Sequence, residues 1–455
     1  MFEKSIHHIS SRVESALHRY RRKLGLDSPG SLWQNQDFLN LWIAETISQF
    51  GSQISIVAIP LLAVVMLHAT PFEMGLLATV GSLPYLLIGL VAGVWVDRLP
   101  KRPLMIAPDI GRGIFLLVIP IAAALDLLTF WLLLVVAFAV GVLSVFFNAA
   151  YSALLPRVVR RHQLTDANGK LLGSASVAQI AGPALGGVFV AWFSAPLTML
   201  INAATFFGSG FFIGRVRSEG AANTAEGIDT SVDGTRDRHL GREIRVGVHA
   251  LVSSPILRSI TASTAMNNLA GYIFLSVYVL YMKDDLHLSD SGVGLVYAAG
   301  GVCALIGSVL ASPFTLRFGA GRTIVWSSVA FGVGGVTVPL AILAPNHALP
   351  LVVFAEFAQW LALLIFNTNR IALRQALTPD RLQGRVAASS QVLTGGMQPI
   401  GSFPGGVIGS VWSVQTALLV GVFGMFWAFL FVWFSPTREL QTPPLEPDES
   451  LLAMA

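Results

Sequence analysis

Apolar residues in this chain come in long runs, and polar residues gather in short stretches between them. Twelve runs stand out, near 38–67, 74–96, 104–125, 130–156, 165–193, 197–214, 257–282, 292–315, 322–344, 349–371, 383–412 and 415–434. A helix needs about 20 mostly apolar residues to cross a bilayer. The pattern predicts an all-α membrane protein of twelve transmembrane helices, with both termini on one side. One long polar stretch, 215–255, follows the sixth run. It opens with Ser218-Glu219-Gly220-Ala221 and closes on a helix-like pattern, HLGREIRVGVHALV.

The two sets of six runs are related. Gly75, Leu76, Gly81, Arg98 and Asn148 recur 219 residues later as Gly294, Leu295, Gly300, Arg317 and Asn367. Gln179, Gly182, Gly186, Gly187 and Val188 recur as Gln398, Gly401, Gly405, Gly406 and Val407 at the same offset. Six spans repeated in the same orientation make a parallel repeat, with its axis along the membrane normal. In secondary transporters built this way the substrate site lies between the repeats, near the midplane. The expected organisation is an N-terminal tail (1–37), a six-helix bundle (38–214), a linker (215–255), a second bundle (256–435) and a C-terminal tail (436–455).

Composition and charge sharpen this. Hydrophobic residues make up 54% of the chain and charged residues 12%, with a mean hydropathy of +0.68. The net charge of +4 is no nucleic-acid signal, because the basic residues sit in loops between apolar runs. Of the 29 Lys and Arg, all but Lys283 and Arg112 fall on the tails, the linker and alternate loops or their flanks. Cytoplasmic loops carry such an excess, so both termini and the linker are expected in the cytoplasm. No secretory signal peptide is evident in the first 37 residues. In the tail, Phe2, Ile6, Ile9, Val13, Leu17, Tyr20 and Leu24 form a stripe opposite a basic face. It reads either as a helix lying on the membrane surface or as a disordered segment. Cys303 is the single cysteine, which leaves no intrachain disulfide and no Cys/His metal cluster. No phosphate-binding loop, nucleophile elbow or metal-ligand spacing is visible, so neither ATP drive, a cofactor nor an intramembrane enzyme is expected.

Three segments carry a resemblance to the major facilitator superfamily, and within it to the exporter group of enterobactin, macrolide and drug efflux proteins. The first, GVWVDRLPKR from Gly93 to Arg102, resembles the signature between the second and third spans. It supplies Gly93, Asp97, Arg98, Lys101 and Arg102. The resemblance implies that Asp97 docks at the positive N-terminus of the eleventh span, which Thr378-Pro379-Asp380 would start. The second, PDIGRG, places Asp109 and Arg112 on one face of the third span. A charge pair inside a membrane is costly unless paired or wet. It reads either as part of a conformational charge network with the Asp97 loop or as a local structural pair. The third, Gly169 through Gly182-Pro183 to Gly186-Gly187, resembles the antiporter signature of fifth spans, with Ala178 in place of one glycine. That signature is associated with exporters. Small residues four apart let helix backbones touch, and Pro183 frees the carbonyl of Gln179 and favours a bend.

In that fold the first, fourth, seventh and tenth spans line the cavity. Glu45, Gln49 and Gln53 form a stripe on the first, and Glu356, Trp360 and Asn367 one on the tenth. Asn267, Phe274 and Tyr278 lie on the seventh, and Asn148 ends the fourth. Carboxyls within spans are rare, and burial disfavours their charged form. Glu45 and Glu356 are therefore the candidates to exchange a proton for substrate. The expected protein is a monomeric, proton-coupled exporter of an amphipathic small molecule, a drug or a siderophore. It would sit in a bacterial-type cytoplasmic (inner) membrane, with the lipid bilayer and no nucleic acid as partner. Lysophospholipid transport, or a scaffold that moves nothing, are the alternatives.

Overall fold

The computed structural model describes residues 32–89, 95–96, 99–217 and 240–442. Gly93, Asp97 and Arg98, and the apolar stripe of the tail, lie outside the described residues.

The helices follow the apolar runs. In the first half they are α1 (Gln36–Val65), α2 (Pro71–Leu87), α3 (Lys101–Ala124), α4 (Phe130–Val158), α5 (Leu164–Phe193) and α6 (Ala195–Arg215). The linker supplies α7 (Leu240–Ser253). The second half follows with α8 (Pro255–Leu280), α9 (Asp290–Phe318), α10 (Ala320–Leu340), α11 (Ala348–Leu377), α12 (Asp380–Gly395), α13 (Met397–Val411), α14 (Val414–Trp427) and α15 (Leu430–Trp433). No strand occurs among the described residues. Nine helical segments there are long and apolar enough to cross a membrane. The other three predicted spans correspond to α2, to α9 and to the pair α12–α13, which divides at Gly396. This layout is consistent with twelve spans.

Local chemistry sets the helix starts. Asn35 Oδ1 accepts from the amides of Asp37 and Phe38, at 3.0 and 3.1 Å, and caps α1. Thr70 and Glu73 form a reciprocal capping box at α2. Ser254, Ser289 and Ser413 cap α8, α9 and α14 through their hydroxyls.

One end of the bundle carries the basic loops and is called the basic end below. The opposite end, with the loops at 66–70, 281–289 and 341–347, is the far end. At the basic end α7 packs on α12. A methyl group placed on Gly247 would lie 2.5 Å from the Arg385 carbonyl oxygen. Val246, Ala250 and Leu251 join a core with Leu257, Leu373, Leu382 and Val386, so the end of the linker belongs to the second half.

Candidate functional site

The repeat seen in the sequence is also a repeat of contacts. In α5, Gly182 packs on Gln53 and Gly186 on Ile54 of α1. In α13, Gly401 packs on Tyr272 and Gly405 on Ile273 of α8, the partners 219 residues on. A methyl on Gly186 would lie 2.8 Å from Ile54 O, and one on Gly405 would lie 2.5 Å from Ile273 O. The third glycine of each set reaches across the halves. Gly187 of α5 meets Gly294 of α9, and Gly406 of α13 meets Gly75 of α2, backbone against backbone. Close approach of this kind needs residues without a Cβ.

Both of these glycine contacts sit toward the far end and bring the halves together there. Toward the basic end the glycines of α5 are uncovered: a methyl placed on Gly169 or Gly173 would meet no neighbouring atom within 4 Å.

Between the halves lies a cavity of about 540 Å³. Of the residues singled out from the sequence, Gln53, Pro183, Asn267, Phe274, Tyr278, Glu356 and Trp360 line it. Glu356 is 6% exposed and holds one donor on each oxygen. Trp360 Nε1 donates to Oε1 at 2.9 Å, and the Tyr278 hydroxyl donates to Oε2 at 3.1 Å. Tyr278 continues into an aromatic wall, 4.8 Å from the Phe274 ring centroid and 6.1 Å from that of Tyr297. Asn267 Oδ1 and Gln359 Nε2 are buried without a protein partner. Such atoms cost free energy unless something bonds to them, which leaves them available to a ligand. No Lys, Arg or His is among the lining residues.

The cavity also takes residues the sequence had not assigned to it, among them Gln179, Gln398 and Gln359. Gln179 and Gln398 are repeat equivalents, so their identity at matched positions was the available signal. They were missed because they stand on the fifth and eleventh spans, where only packing was sought.

Other candidates stand apart. Glu45 is buried in the first half and accepts from Gln49 Nε2 at 2.7 Å, while its Oε2 has no protein partner. It lies within electrostatic reach of a buried ion pair, Asp109 with Arg112. The Arg112 guanidinium is held between two rings, 4.3 Å from the Phe147 centroid and 4.2 Å from that of Phe206. Asn148 is exposed and donates to the Tyr85 hydroxyl at 3.4 Å, and Asn367 is half-buried; neither lines the cavity. Lys101 is buried, its Nζ donating to the carbonyls of Val96 and Leu99 just before α3, and Arg102 donates to Gly214 O at the end of α6. Gly169 packs on nothing. Among the described residues no group of three or more His, Cys, Asp or Glu could hold a metal ion.

Helical halves joined along paired glycines, with a polar and aromatic cavity between them, are the architecture of a membrane transporter. The profile described as "Transmembrane secretion effector" matches residues 28–453. The chain belongs to this family, within the major facilitator superfamily. The transporter is 25% identical over 409 residues to the uncharacterised MFS-type transporter YfiS of Bacillus subtilis, covering 86% of this chain and 91% of the relative. It is 25% identical over 365 residues to the multidrug efflux pump Tap of Mycolicibacterium fortuitum, covering 77% and 84%. In fold it is similar to a bacterial homologue of the iron transporter ferroportin in its inward-facing state. The TM-score there is 0.70 at 16% identity, over 87% of this chain and 98% of the other.

Proposed function

We propose that the transporter exports an amphipathic, aromatic small molecule in exchange for protons, by alternating access across a bacterial cytoplasmic membrane. The observation that carries this reading is the central cavity with Glu356 in its wall. Its volume is that of a site for a drug-sized molecule, and its walls are aromatic and amide with one carboxyl. An absence of basic groups disfavours a multiply anionic siderophore, so of the two exported classes the drug is the better fit. The efflux activity named for the relative Tap agrees with it.

With the basic end read as cytoplasmic, which the loop charges support, the glycine contacts toward the far end fit an inward-open form. Substrate enters the cavity from the cytoplasmic side and displaces a proton from Glu356. Trp360 and Tyr278 stabilise the carboxylate left behind. Glycine pairs then part at the far end while the basic end closes.

Proteoliposomes test this with a panel of cationic drugs, macrolides, catecholate siderophores and lysolipids. A transported drug is expected to drive proton movement the opposite way. Glu356→Gln, whose amide oxygen can still accept from Trp360 Nε1 while its NH2 donates to the Tyr278 hydroxyl, is expected to bind drug with proton movement abolished. Drug accumulation that persists after the pH gradient and membrane potential are collapsed would sink the exchange mechanism.

A further inference from the structure

One glycine in the wall of the central cavity has no packing role. Other glycines around α8 sit where a side chain has no room. A methyl on Gly421 of α14 would lie 2.7 Å from Phe274 Cβ, and one on Gly424 would lie 2.6 Å from Ala270 Cβ. Gly301 of α9, which also lines the cavity, is covered by Ile180 of α5. Gly271 of α8 differs. It lines the cavity, yet a methyl placed on it would meet no neighbouring atom within 4 Å.

The backbone does not call for a glycine there either. Gly271 lies inside an unbroken helix, Pro255–Leu280, about 24 Å from its basic end at 1.5 Å per residue. Its φ is not positive. A glycine within a helix weakens it relative to alanine, and no contact of Gly271 offsets that loss. The repeat agrees. The matched position of α1, 219 residues earlier, is Ser52, so a helix in this place tolerates a side chain.

The neighbours of Gly271 indicate what the space receives. Asn267, Gly271, Phe274 and Tyr278 recur at spacings of 4, 3 and 4 on one face of α8, and all four line the cavity. One turn toward the basic end stands Asn267, 8% exposed, whose Oδ1 has no protein partner. One turn toward the far end stands the Phe274 ring. The face therefore runs from an unbonded amide oxygen, over bare backbone, to an aromatic ring. Bare backbone admits a flat group that a side chain would lift away. A buried amide oxygen is costly until a donor reaches it, and an aromatic ring pairs favourably with another ring.

We propose that Gly271 sets the size limit of the cavity. The fused planar ring system of the substrate lies across α8 at Gly271, between Phe274 and Asn267, and an N–H or O–H attached to that system donates to Asn267 Oδ1. The proposal rests on the central cavity being the substrate site, and it narrows the substrate class to planar polycyclic molecules with a ring-borne donor. It does not depend on proton exchange.

Isothermal calorimetry on the full chain in detergent, with no ion gradient, tests this, so a failure of proton exchange leaves the readout unchanged. The probes are aminopyridine, aminoquinoline and aminoacridine, with one, two and three fused rings and the same ring-borne amine. The unaltered chain is expected to bind aminoacridine most tightly. Gly271→Ala and Gly271→Val are expected to weaken aminoacridine in that order, by at least about tenfold for valine, and to leave aminopyridine within about twofold. Neither is expected to lower the thermal unfolding temperature. Asn267→Leu is expected to weaken aminoacridine about tenfold and to leave acridine, which lacks the amine, within about twofold. A control, Gly384→Val, places the same side chain on an open glycine of α12 outside the cavity and is expected to change no affinity. Equal weakening of all three probes by Gly271→Val would overturn the proposal in favour of a general disturbance of α8. A lowered unfolding temperature would make the glycine structural and overturn it as well. Aminoacridine binding that is absent in the unaltered chain, or unchanged by Gly271→Val, would overturn it outright.

Discussion

The ion pair of Asp109 and Arg112 is where single side chains matter most. Its spacing of three on an apolar run was enough to predict that the two residues pair. Nothing in the sequence foretold the rest of the cage, because Phe147 and Phe206 come from other helices and meet Arg112 only in the folded bundle. Both charges are almost fully buried, Asp109 at 0% and Arg112 at 3% exposed. Removing one partner strands the other charge in an apolar interior, at a cost of about 3–5 kcal/mol. Replacing both with uncharged residues of similar shape removes that penalty. Asp109→Asn and Arg112→Met are therefore each expected to lower the thermal unfolding temperature in detergent. The double variant is expected to recover most of the loss. A double variant that melts at the sum of the two losses would show that the pair is not coupled.

Among the elements, α5 best shows what a sequence can and cannot tell. Gly182, Pro183, Gly186 and Gly187 were legible as a packing surface, and the offset of 219 made α13 its counterpart. What the pattern could not assign was a partner for each glycine. Two face a helix of their own half and one faces the other half, a division set by the bundle's geometry. Proline is the asymmetric element, with Ser402 at its equivalent position. Pro183 is buried, lines the cavity and sits within a helix that runs unbroken from Leu164 to Phe193. In a membrane the backbone must be satisfied internally, and neighbouring groups compensate for the bond a proline removes. Such a helix is a place where bending costs less than elsewhere. Pro183→Ala is expected to fold with unchanged thermal stability and to slow transport at saturating substrate by roughly tenfold, the effect of about 1.4 kcal/mol on a barrier. An unchanged rate in proteoliposomes would reduce the proline to packing.

At the scale of the whole molecule, a repeat that is nearly symmetric in its packing is asymmetric in its chemistry. Cavity carboxyl and aromatic wall belong to the second half, while Glu45 and the buried ion pair belong to the first. The glycine contacts are matched between the two halves, and the divergence lies on other faces. Where the glycines pair, backbone meets backbone with no side chain between, so little has to unpack there for the seam to part. Aromatic rings flank that seam: Phe72 of α2 meets Phe403 of α13 edge to face across the halves, with centroids 6.0 Å apart. If parting of the far end is a step of transport, tying this seam must stop turnover without disturbing the cavity. Phe72→Cys with Phe403→Cys, in a Cys303→Ala background, can be bridged by a short bifunctional thiosulfonate. Bridging is expected to abolish transport, to leave substrate binding from the basic end within about twofold, and to be reversed by reductant. Transport that continues through a completed bridge would mean that the far end stays shut during turnover, and substrate would then need another way out.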